Sequence, residues 1–268
     1  MAVSSPDDAN INLLWTGGWD STFQLLRIVL IHRARVTPYY LRDRTRPSTE
    51  MEILTMERIK ARLFSEHPHT RRLIQPTRYF GVADLALDRA ITAAFNRTRR
   101  NKFMGSQYDW LARFCKQHAI TDMELCIHRD DKAHAVVEHC IREDRSAAGY
   151  RTWRIDPAYR RSREYAVFGR FAFPLVDLSK LQMASLAEEL GWNGFMHMTW
   201  FCHRPRRNLQ PCGRCPPCLY AIEEGLGWRI PIESRMTSAL YRAFVQPLRA
   251  PAKAIVRRFK RGDTRRSA

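Results

Sequence analysis

The chain has 268 residues, of which 45% are hydrophobic, and its 45 basic and 27 acidic residues give a formal net charge of +18. This length and composition suit a folded α/β domain with a small appendage and exclude a disordered chain. No apolar run approaches the roughly 20 residues that span a bilayer, and residues 1–10 lack the basic and apolar regions of a secretory signal. We therefore expect a cytoplasmic protein.

Short apolar runs alternate with helical patterns along most of the chain. Strands are predicted at 11–15, 36–41, 72–75, 123–128 and 165–176, with helices at 20–33, 50–66, 104–119 and 131–142. This alternation predicts an α/β fold, a doubly wound parallel five-stranded sheet that binds its ligand at the carboxyl ends of the strands. The arginine-rich stretch 143–163 is predicted to be irregular.

The first predicted strand runs into Gly17 and Gly18, which precede an Asp-Ser-Thr sequence that opens a helix. Glycines allow successive N–H groups to point at an anion, and the positive end of the helix faces the same point. The local features also fit an ordinary strand-turn-helix corner in which the hydroxyls serve as caps. No Gly-Lys-Ser/Thr follows the turn, so it is not a Walker loop.

Four of the seven cysteines lie close together near the C-terminal end: Cys202, Cys212, Cys215 and Cys218. The Cys-x2-Cys-x2-Cys spacing brings three thiols into one turn, and Cys202 can supply the fourth, which favours tetrahedral zinc. An iron–sulfur cluster and uncoordinated thiols are the alternatives, and His203 is an outside candidate for a ligand. Cys115, Cys126 and Cys140 lie in apolar patterns and are predicted to be core residues.

The turn and the C-terminal third together carry a resemblance to a known family. Thr16-Gly17-Gly18-Trp19-Asp20-Ser21 resembles the Ser-Gly-Gly-x-Asp-Ser signature of the PP-loop ATP pyrophosphatases. Phe173-Pro174-Leu175, Lys180 in a helix with a Ser179/Gln182 capping box, and Thr199-Trp200-Phe201-Cys202 before the cysteine run resemble the 7-cyano-7-deazaguanine synthases. The similarity spans about residues 11–225 in the same order.

The resemblance implies a chemistry and a set of site residues. In that family ATP activates 7-carboxy-7-deazaguanine with release of pyrophosphate, ammonia converts the adenylate to an amide, and a second activation gives the nitrile. The implied cofactors are ATP, Mg²⁺ and a structural Zn²⁺, and a homodimer is common. The implied catalytic residues are Asp20, Ser21 and Lys180, the ATP-binding residues are Thr16, Gly17, Gly18, Trp19, Asp20, Ser21, Thr22, Tyr40 and Leu41, the substrate-binding residues are Arg100 and Asn101, and the metal ligands are the four clustered cysteines. Asp20 as a cap and Lys180 as a solvated lysine are the corresponding structural alternatives.

Several departures from the family pattern fall where the substrate would be recognised. Arg100-Asn101 lacks the preceding Pro-Gly, and His128-Arg-Asp-Asp-Lys stands where the family has Asp-Ser-Gly-Tyr. Phe201 replaces a serine, and an arginine expected near Tyr220 is missing. A paralogue that adenylates another small molecule, or an enzyme that modifies tRNA, therefore remains a second hypothesis.

The predicted organisation is an ATP-binding domain at 1–178, a helical zinc-binding subdomain at 179–240 and a basic tail at 241–268. From Arg242 onward the tail has nine Lys or Arg and one acid. Its apolar residues at 252, 255, 256 and 259 fit a short amphipathic helix that can contact an anionic membrane or RNA, and a solvated tail is the alternative.

Overall fold

The computed structural model describes residues 9–245. The chain divides into two compact units, one formed by residues 1–200 and the other beginning at Phe201. The predicted amphipathic helix of the basic tail lies outside the described residues.

The first unit contains a parallel sheet, a hairpin and the helices around them. Its strands are β1 (Asn10–Leu14), β2 (Arg35–Arg42), β3 (Arg78–Gly81), β4 (Met123–Glu124), β5 (Ile141–Arg145), β6 (Arg151–Ile155) and β7 (Phe171–Ala172). Its α-helices are α1 (Trp19–Leu26), α2 (Thr49–Glu66), α3 (Thr70–Leu73), α4 (Arg89–Asn101), α5 (Gln107–Gln117), α6 (His134–Val137), α7 (Arg163–Phe168), α8 (Lys180–Glu189) and α9 (Asn193–Met196). A π-helical turn, Arg27–Ile31, continues α1, and 3₁₀ turns form at Val82–Asp84 and Pro157–Tyr159.

The five parallel strands have the order β3-β2-β1-β4-β7, so the chain reverses its direction of travel across the sheet after β3. β1 lies at the centre, paired with β2 from Asn10↔Arg35 to Leu14↔Tyr39 and with β4 at Leu13↔Glu124. In such sheets the carboxyl ends of the two strands at the reversal flank the ligand crevice. This order confirms the predicted doubly wound sheet and places the crevice between β1 and β4.

Both faces of the sheet are covered, as residues of β2 show. Tyr39 and Leu41 join the apolar core that includes α4, α5 and α7, whereas Tyr40 points the other way, toward Glu52 of α2. Because successive strand residues point to opposite faces, β2 is buried on both sides and reads as an uninterrupted apolar run.

Four local predictions were wrong. Residues 70–73 form a helix with only Ile74 bridging to Val36, and the third strand lies at 78–81. The predicted strand 165–176 begins as α7, because the Ser162 hydroxyl accepts the Tyr165 N–H and caps a helix there. The predicted strand 123–128 ends at Glu124, and the predicted helix 131–142 is reduced to 134–137.

Two further elements were not predicted. Residues 89–101 form α4, and the stretch predicted to be irregular contains the antiparallel hairpin β5–β6, paired from Ile141↔Ile155 to Arg145↔Arg151. By contrast, the capping box of α8 is present as predicted, with Ser179 and Gln182 bonded reciprocally.

The second unit is helical in its described part. It contains α10 (Pro216–Glu223), a 3₁₀ turn at Gly227–Arg229, α11 (Ile232–Leu240) and a π-helical turn at Tyr241–Val245. Among the helices of residues 9–245, none combines the length and the apolar character needed to cross a bilayer.

Candidate active site and metal centre

The turn after β1 is held tightly from the side of α2. Gly17 has φ +67°, and a Cβ atom there would lie 3.1 Å from Thr55 Cγ2, 3.2 Å from Met56 Cγ and 3.3 Å from the Glu52 carbonyl oxygen. Glycine alone meets both demands, because an L side chain is strained at this φ and would crowd α2. The main-chain N–H of Trp200 also donates to the Gly17 carbonyl at 2.9 Å.

The hydroxyls of the turn bind its own backbone. Thr16 Oγ1 accepts the Gly18 N–H at 3.3 Å, and Ser21 Oγ accepts the Thr16 N–H at 3.4 Å. Thr22 is fully buried, and its hydroxyl accepts the indole N–H of Trp15 at 3.0 Å. Thr16 and Ser21 therefore line the turn, while Thr22 anchors it to the end of β1.

The first turn of α1 provides N–H groups at the carboxyl edge of the sheet. Gly18 is the N-cap, and the first main-chain bond of the helix runs from the Thr22 N–H to the Gly18 carbonyl at 3.0 Å. The N–H groups of Asp20 and Ser21 precede that bond, so the helix itself does not engage them. Together with the helix dipole they form a site suited to a phosphate group.

Asp20 brings three chain segments together at this edge. Its Oδ2 lies 3.8 Å from His128 Nε2, in the loop after β4, and 3.9 Å from Lys180 Nζ, at the start of α8. Its Oδ1 is buried and accepts no hydrogen bond from the part of the chain that the structure describes. A buried carboxylate oxygen without a partner is costly unless a ligand or cation engages it.

The orientation of His128 follows from its neighbours. The Asp130 N–H donates to His128 Nδ1 at 3.2 Å, so in the neutral ring the proton is on Nε2, which faces Asp20. Asp130 Oδ2 also accepts the main-chain N–H of Lys180 at 2.8 Å. Asp130 thus fixes the β4 loop and the start of α8 relative to each other. The sequence analysis does not predict a site role for His128 and identifies it only as a difference from the family pattern.

The two predicted adenine-binding residues of β2 are core residues by their side chains. Tyr40 is fully buried, its hydroxyl donates to Glu52 Oε2 at 2.8 Å, and burial together with the charge of Glu52 raises the pKa of Tyr40. The main chain of Leu41 is placed differently. The β1 ladder ends with the Trp15 N–H bonded to the Tyr39 carbonyl at 2.9 Å, and Leu41, two residues later, directs its N–H and C=O to that same side, beyond β1. At this edge of the sheet, β2 can therefore contact a base through its main chain and not through these side chains.

Arg100 and Asn101 lie at the exposed end of α4. Asn101 lines a cavity of about 260 Å³ with Thr98, Lys102, His139, Arg163 and Glu164. Asp20, His128, Lys180 and Arg100 are not among the residues that line it. The structure thus places Asn101, but not Arg100, in a cavity whose lining is separate from the crevice residues.

A buried hydrogen-bond network connects β4, α1 and the β5–β6 turn next to the crevice. Glu124, at the carboxyl end of β4, accepts hydrogen bonds from Gln24 Nε2 of α1 at 2.9 Å and from the hydroxyl of Tyr150, in the β5–β6 turn. Burial raises the pKa of Glu124 to about 7, although both hydrogen bonds act in the opposite direction. Gln24 is held in turn by Arg27 Nη1, 3.1 Å from Gln24 Oε1.

In the second unit, the four clustered cysteines converge as predicted. All four are buried, and their sulfur atoms lie within 4.8 Å of one another. The Cys212 N–H donates to Cys202 Sγ and the Cys215 N–H to Cys212 Sγ, each at 3.3 Å. Gly213 makes this turn possible, because it has φ +75° and a Cβ there would meet the Ser234 carbonyl oxygen at 2.1 Å.

The sulfur separations fit a single tetrahedral ion. Zn–S bonds of about 2.3 Å in tetrahedral geometry place the sulfurs about 3.8 Å apart. The observed separations are 3.8 Å between Cys215 and Cys202, 3.4 Å between Cys215 and Cys218, and 3.9 Å between Cys212 and Cys218. Hydrogen bonds among these thiols lower the pKa of Cys215 and raise those of Cys202 and Cys218, so Cys215 is the first of these three to form a thiolate.

The other three cysteines differ from this cluster. Cys115 and Cys140 are buried core residues, as predicted, and burial raises their pKa values to about 12 and about 11. Cys126 was predicted to lie within a strand, but β4 ends at Glu124 and Cys126 follows it at the crevice. Burial, then the charges of Glu124 and Asp20, raise the pKa of Cys126, so its thiol stays protonated.

The chain is similar to one known family over part of its length and to a solved structure. Residues 163–225 match the model of a family described as queuosine biosynthesis protein QueC. A search of the curated proteins gave no match. Among solved structures, the chain is similar to the U34-tRNA thiolase NcsA from Methanococcus maripaludis with its [4Fe-4S] cluster, at 12% identity and a TM-score of 0.39, covering 95% of this chain and 72% of that one.

The central β1, the glycine turn and the helix that opens with Asp-Ser-Thr are arranged as the resemblance to the PP-loop ATP pyrophosphatases implies. The similarity to the QueC family model is confined to residues 163–225.

Proposed function

We propose that the chain uses ATP to adenylate a carboxylate, with 7-carboxy-7-deazaguanine as the substrate and ammonia as the second reactant. The product of the complete sequence is 7-cyano-7-deazaguanine. The observation that carries the proposal is Asp20, whose buried Oδ1 has no hydrogen-bond partner in the described part of the chain while Oδ2 faces Lys180 and His128. These groups flank a helix start suited to phosphate.

The residues of the crevice have separate tasks in the first step. A carboxylate oxygen forms a bond to the α-phosphorus, and the bond to the β-phosphate oxygen breaks, so pyrophosphate takes the electron pair. The N–H groups at the start of α1, the Lys180 ammonium and the Nε2–H of His128 stabilise the charge that develops on it. Asp20 is the residue to hold Mg²⁺, which supplies further positive charge to the phosphate oxygens when bound.

The remaining contacts position the reactants. The main-chain N–H and C=O of Leu41 are suited to the polar edge of adenine, and Thr16 and Ser21 are suited to contact the phosphates. Ammonia then attacks the acyl carbon, AMP leaves and an amide forms. The amide oxygen then attacks the α-phosphorus of a second ATP and pyrophosphate leaves. AMP departs with that oxygen, and loss of both N–H protons gives the nitrile.

The cysteine cluster fits Zn²⁺ in a structural role. Four protein ligands close the coordination shell and leave no position for a substrate. Three of the sulfur separations lie near the tetrahedral value, which favours one ion over an iron–sulfur cluster, in which several irons lie between the thiolates. Metal analysis of the purified protein tests this directly, and about one zinc per chain is expected.

The experiment that tests the function measures AMP and pyrophosphate. The full chain is incubated with ATP, Mg²⁺, ammonium and 7-carboxy-7-deazaguanine, and products are separated by chromatography. We expect two pyrophosphates for each acid converted to the nitrile, one from each activation, and their loss in Asp20→Asn with retention of zinc. Pyrophosphate release that this acid does not stimulate would contradict the proposed substrate.

A second candidate is activation of a base in tRNA. It is favoured by the net charge of +18 and by the exposed arginines around the Asn101 cavity. Sulfur insertion is disfavoured, because Cys115, Cys126 and Cys140 all have raised pKa values and remain protonated. Replacing the acid by tRNA in the same assay separates the two functions.

The family resemblance also implies a homodimer. Light scattering of the purified chain tests this oligomeric state.

A further inference from the structure

The cavity beside Asn101 lies where two basic segments meet. α4 packs against α7, and the cavity opens between the end of α4 and the start of α7. We define the α4–α7 surface by the exposed cations on its two sides: Arg97, Arg99, Arg100 and Lys102 from α4 and the residue after it, and Arg160, Arg161 and Arg163 from the segment leading into α7. Glu164 is the acidic residue that lines the cavity between them.

Most of these cations have no acidic partner. Arg97, Arg100, Arg160 and Arg161 make no ion pair with any residue in 9–245, and Lys102 donates to the carbonyl of Ala135. Arg163 bonds Glu164 Oε1 at 2.9 Å. Some exposed arginines elsewhere, such as Arg62 with Glu66 and Arg151 with Asp177, are paired with an acid. The α4–α7 surface thus places four cations without an ion pair around one cavity.

The floor of the cavity has a different chemistry from its rim. Thr98 and Glu164 are buried, while Asn101 supplies an amide with two donors and an acceptor. Burial is the largest influence and works against ionisation of Glu164. The hydrogen bonds from Arg163 and from the Glu164 main chain, with the charges of Arg163 and His139, together outweigh it and hold the pKa of Glu164 below its ordinary value. An ionised carboxylate among cations repels a phosphate and accepts a hydrogen bond from a hydroxyl.

Aromatic rings stand beside the cations. Tyr159 and Tyr165 are 39% and 37% exposed, and Tyr159 contacts His139 of the cavity lining at a ring-centre distance of 6.2 Å. Phe103, next to Lys102, is 61% exposed and lies under Lys132 Nζ at 5.1 Å. Exposed rings between arginines can stack on unpaired bases.

We infer that the α4–α7 surface binds single-stranded RNA, with phosphates on the arginine rim and a ribose hydroxyl in the cavity on Glu164 and Asn101. The 2′-hydroxyl, a donor and an acceptor, suits this floor and distinguishes RNA from DNA. A bilayer surface fits less well, because lipid headgroups would place phosphate next to a buried carboxylate in a concave site. The inference is independent of the proposed reaction, since it concerns binding without ATP.

The test uses the full chain and a fluorescein-labelled 20-nucleotide RNA, with anisotropy measured at several salt concentrations. Arg97→Ala/Arg100→Ala/Arg163→Ala should lower affinity at least tenfold near physiological salt. Each phosphate that is no longer neutralised reduces the slope of log K against log[salt] by about 0.7 for a single strand, so three such phosphates reduce it by about 2. The matched control is Arg35→Ala/Arg58→Ala/Arg72→Ala, which removes three exposed arginines elsewhere and should leave the slope within about 0.7 of wild type.

Three results would overturn the inference. One is equal loss of binding in both triple variants, which would mean that total charge alone, including the basic tail, accounts for affinity. The second is a DNA strand of the same sequence binding as tightly as RNA, with a ratio that Glu164→Gln does not alter. The third is that the triple variant loses binding to phosphatidylserine vesicles but retains its RNA affinity. The corresponding Arg→Lys triple variant should keep the salt slope, which separates lost charge from misfolding.

Discussion

The cysteine cluster and the crevice at β1 are both compact groups of polar side chains, yet they are assembled in different ways. Four sulfurs within 4.8 Å of one another come from residues 202–218. Asp20, His128 and Lys180 come from three segments that only the sheet order brings together. A local cluster is specified by spacing and one tight turn, whereas the crevice is specified by the whole first unit. Substitutions should therefore affect the two in separable ways.

The largest expected effect is loss of the bound metal in Cys215→Ser. A serine hydroxyl is a poor ligand for zinc, and three remaining thiolates leave the site open. We expect about one metal ion per chain in wild type and close to none in the variant, measured by inductively coupled plasma mass spectrometry. Cys140→Ser is the control, since Cys140 is also buried but lies outside the cluster. If Cys215→Ser kept its full metal content, the four clustered cysteines would not be the metal site.

Asp20→Asn should have the next largest effect, on turnover alone. The variant loses the negative charge that faces Lys180 and that is proposed to hold Mg²⁺, so transition-state stabilisation should fall, typically by a factor of about 10² to 10³. Pyrophosphate release is the readout, and zinc content should not change. Asp109→Asn controls for loss of a carboxylate, because Asp109 pairs with Arg113 on α5. A parallel fall in zinc content would show that the two sites are not separable.

Glu124 gives a pH-dependent test of the crevice. Its pKa is raised from 4.5 to about 7 in the folded state, so the folded chain binds more protons than the unfolded chain between these values. Stability contributed by this group is therefore complete below about pH 4.5 and is lost as the pH rises through 7. The shift corresponds to about 3 kcal/mol in the free energy of unfolding.

Glu124→Gln should remove the loss of stability that Glu124 causes as the pH rises through 7. Denaturant unfolding of wild type and variant at pH 5 and pH 8 measures it, and the wild type should lose up to about 3 kcal/mol more than the variant over this interval. Equal pH dependence of the two proteins would show that Glu124 does not titrate there. Metal content at the cysteine cluster supplies the comparison, since Glu124→Gln leaves its four ligands in place.

The smallest expected effect concerns the turn itself. Gly17→Ala places an L residue at φ +67°, at a cost of about 1 to 2 kcal/mol, and adds contacts of 3.1 to 3.3 Å with α2. Gly149→Ala is a matched control, because Gly149 has φ +81° but no atom within 4 Å of the added Cβ. Both variants should lose stability, and only Gly17→Ala should also weaken ATP binding in calorimetry. Equal ATP affinity in the two variants would contradict a phosphate role for the turn.

The same contrast explains which features could be predicted. The glycine turn, the capping box of α8 and the cysteine spacing are local patterns, and all three form as predicted. His128 could not be identified in the same way, because its role depends on β4 pairing with β1. The general rule that ligands bind at the carboxyl ends of strands was the available signal, since His128 follows β4 by four residues.

The errors in the fold have related causes. α4 was missed because arginines surround its buried positions Ile91, Ala94, Phe95 and Thr98. The prediction of a strand at α7 was wrong because an apolar run of this length fits a strand as well as a helix. The Ser162 cap favours the helix. The residues of α4 and α7 thus acquire a shared surface only through their packing.

The contacts around Gly17 have a consequence for the proposed binding of nucleotide. Thr55, Met56 and Glu52 enclose one side of the turn, Trp200 binds its carbonyl, and Trp15 is bonded to Thr22 behind it. A loop held at so many points has its bound shape before ligand arrives, so little conformational entropy remains to be lost on association. Nucleotide should therefore dock by simple bimolecular kinetics, with an observed rate that rises linearly with ATP concentration and reaches no plateau from a prior opening of the turn.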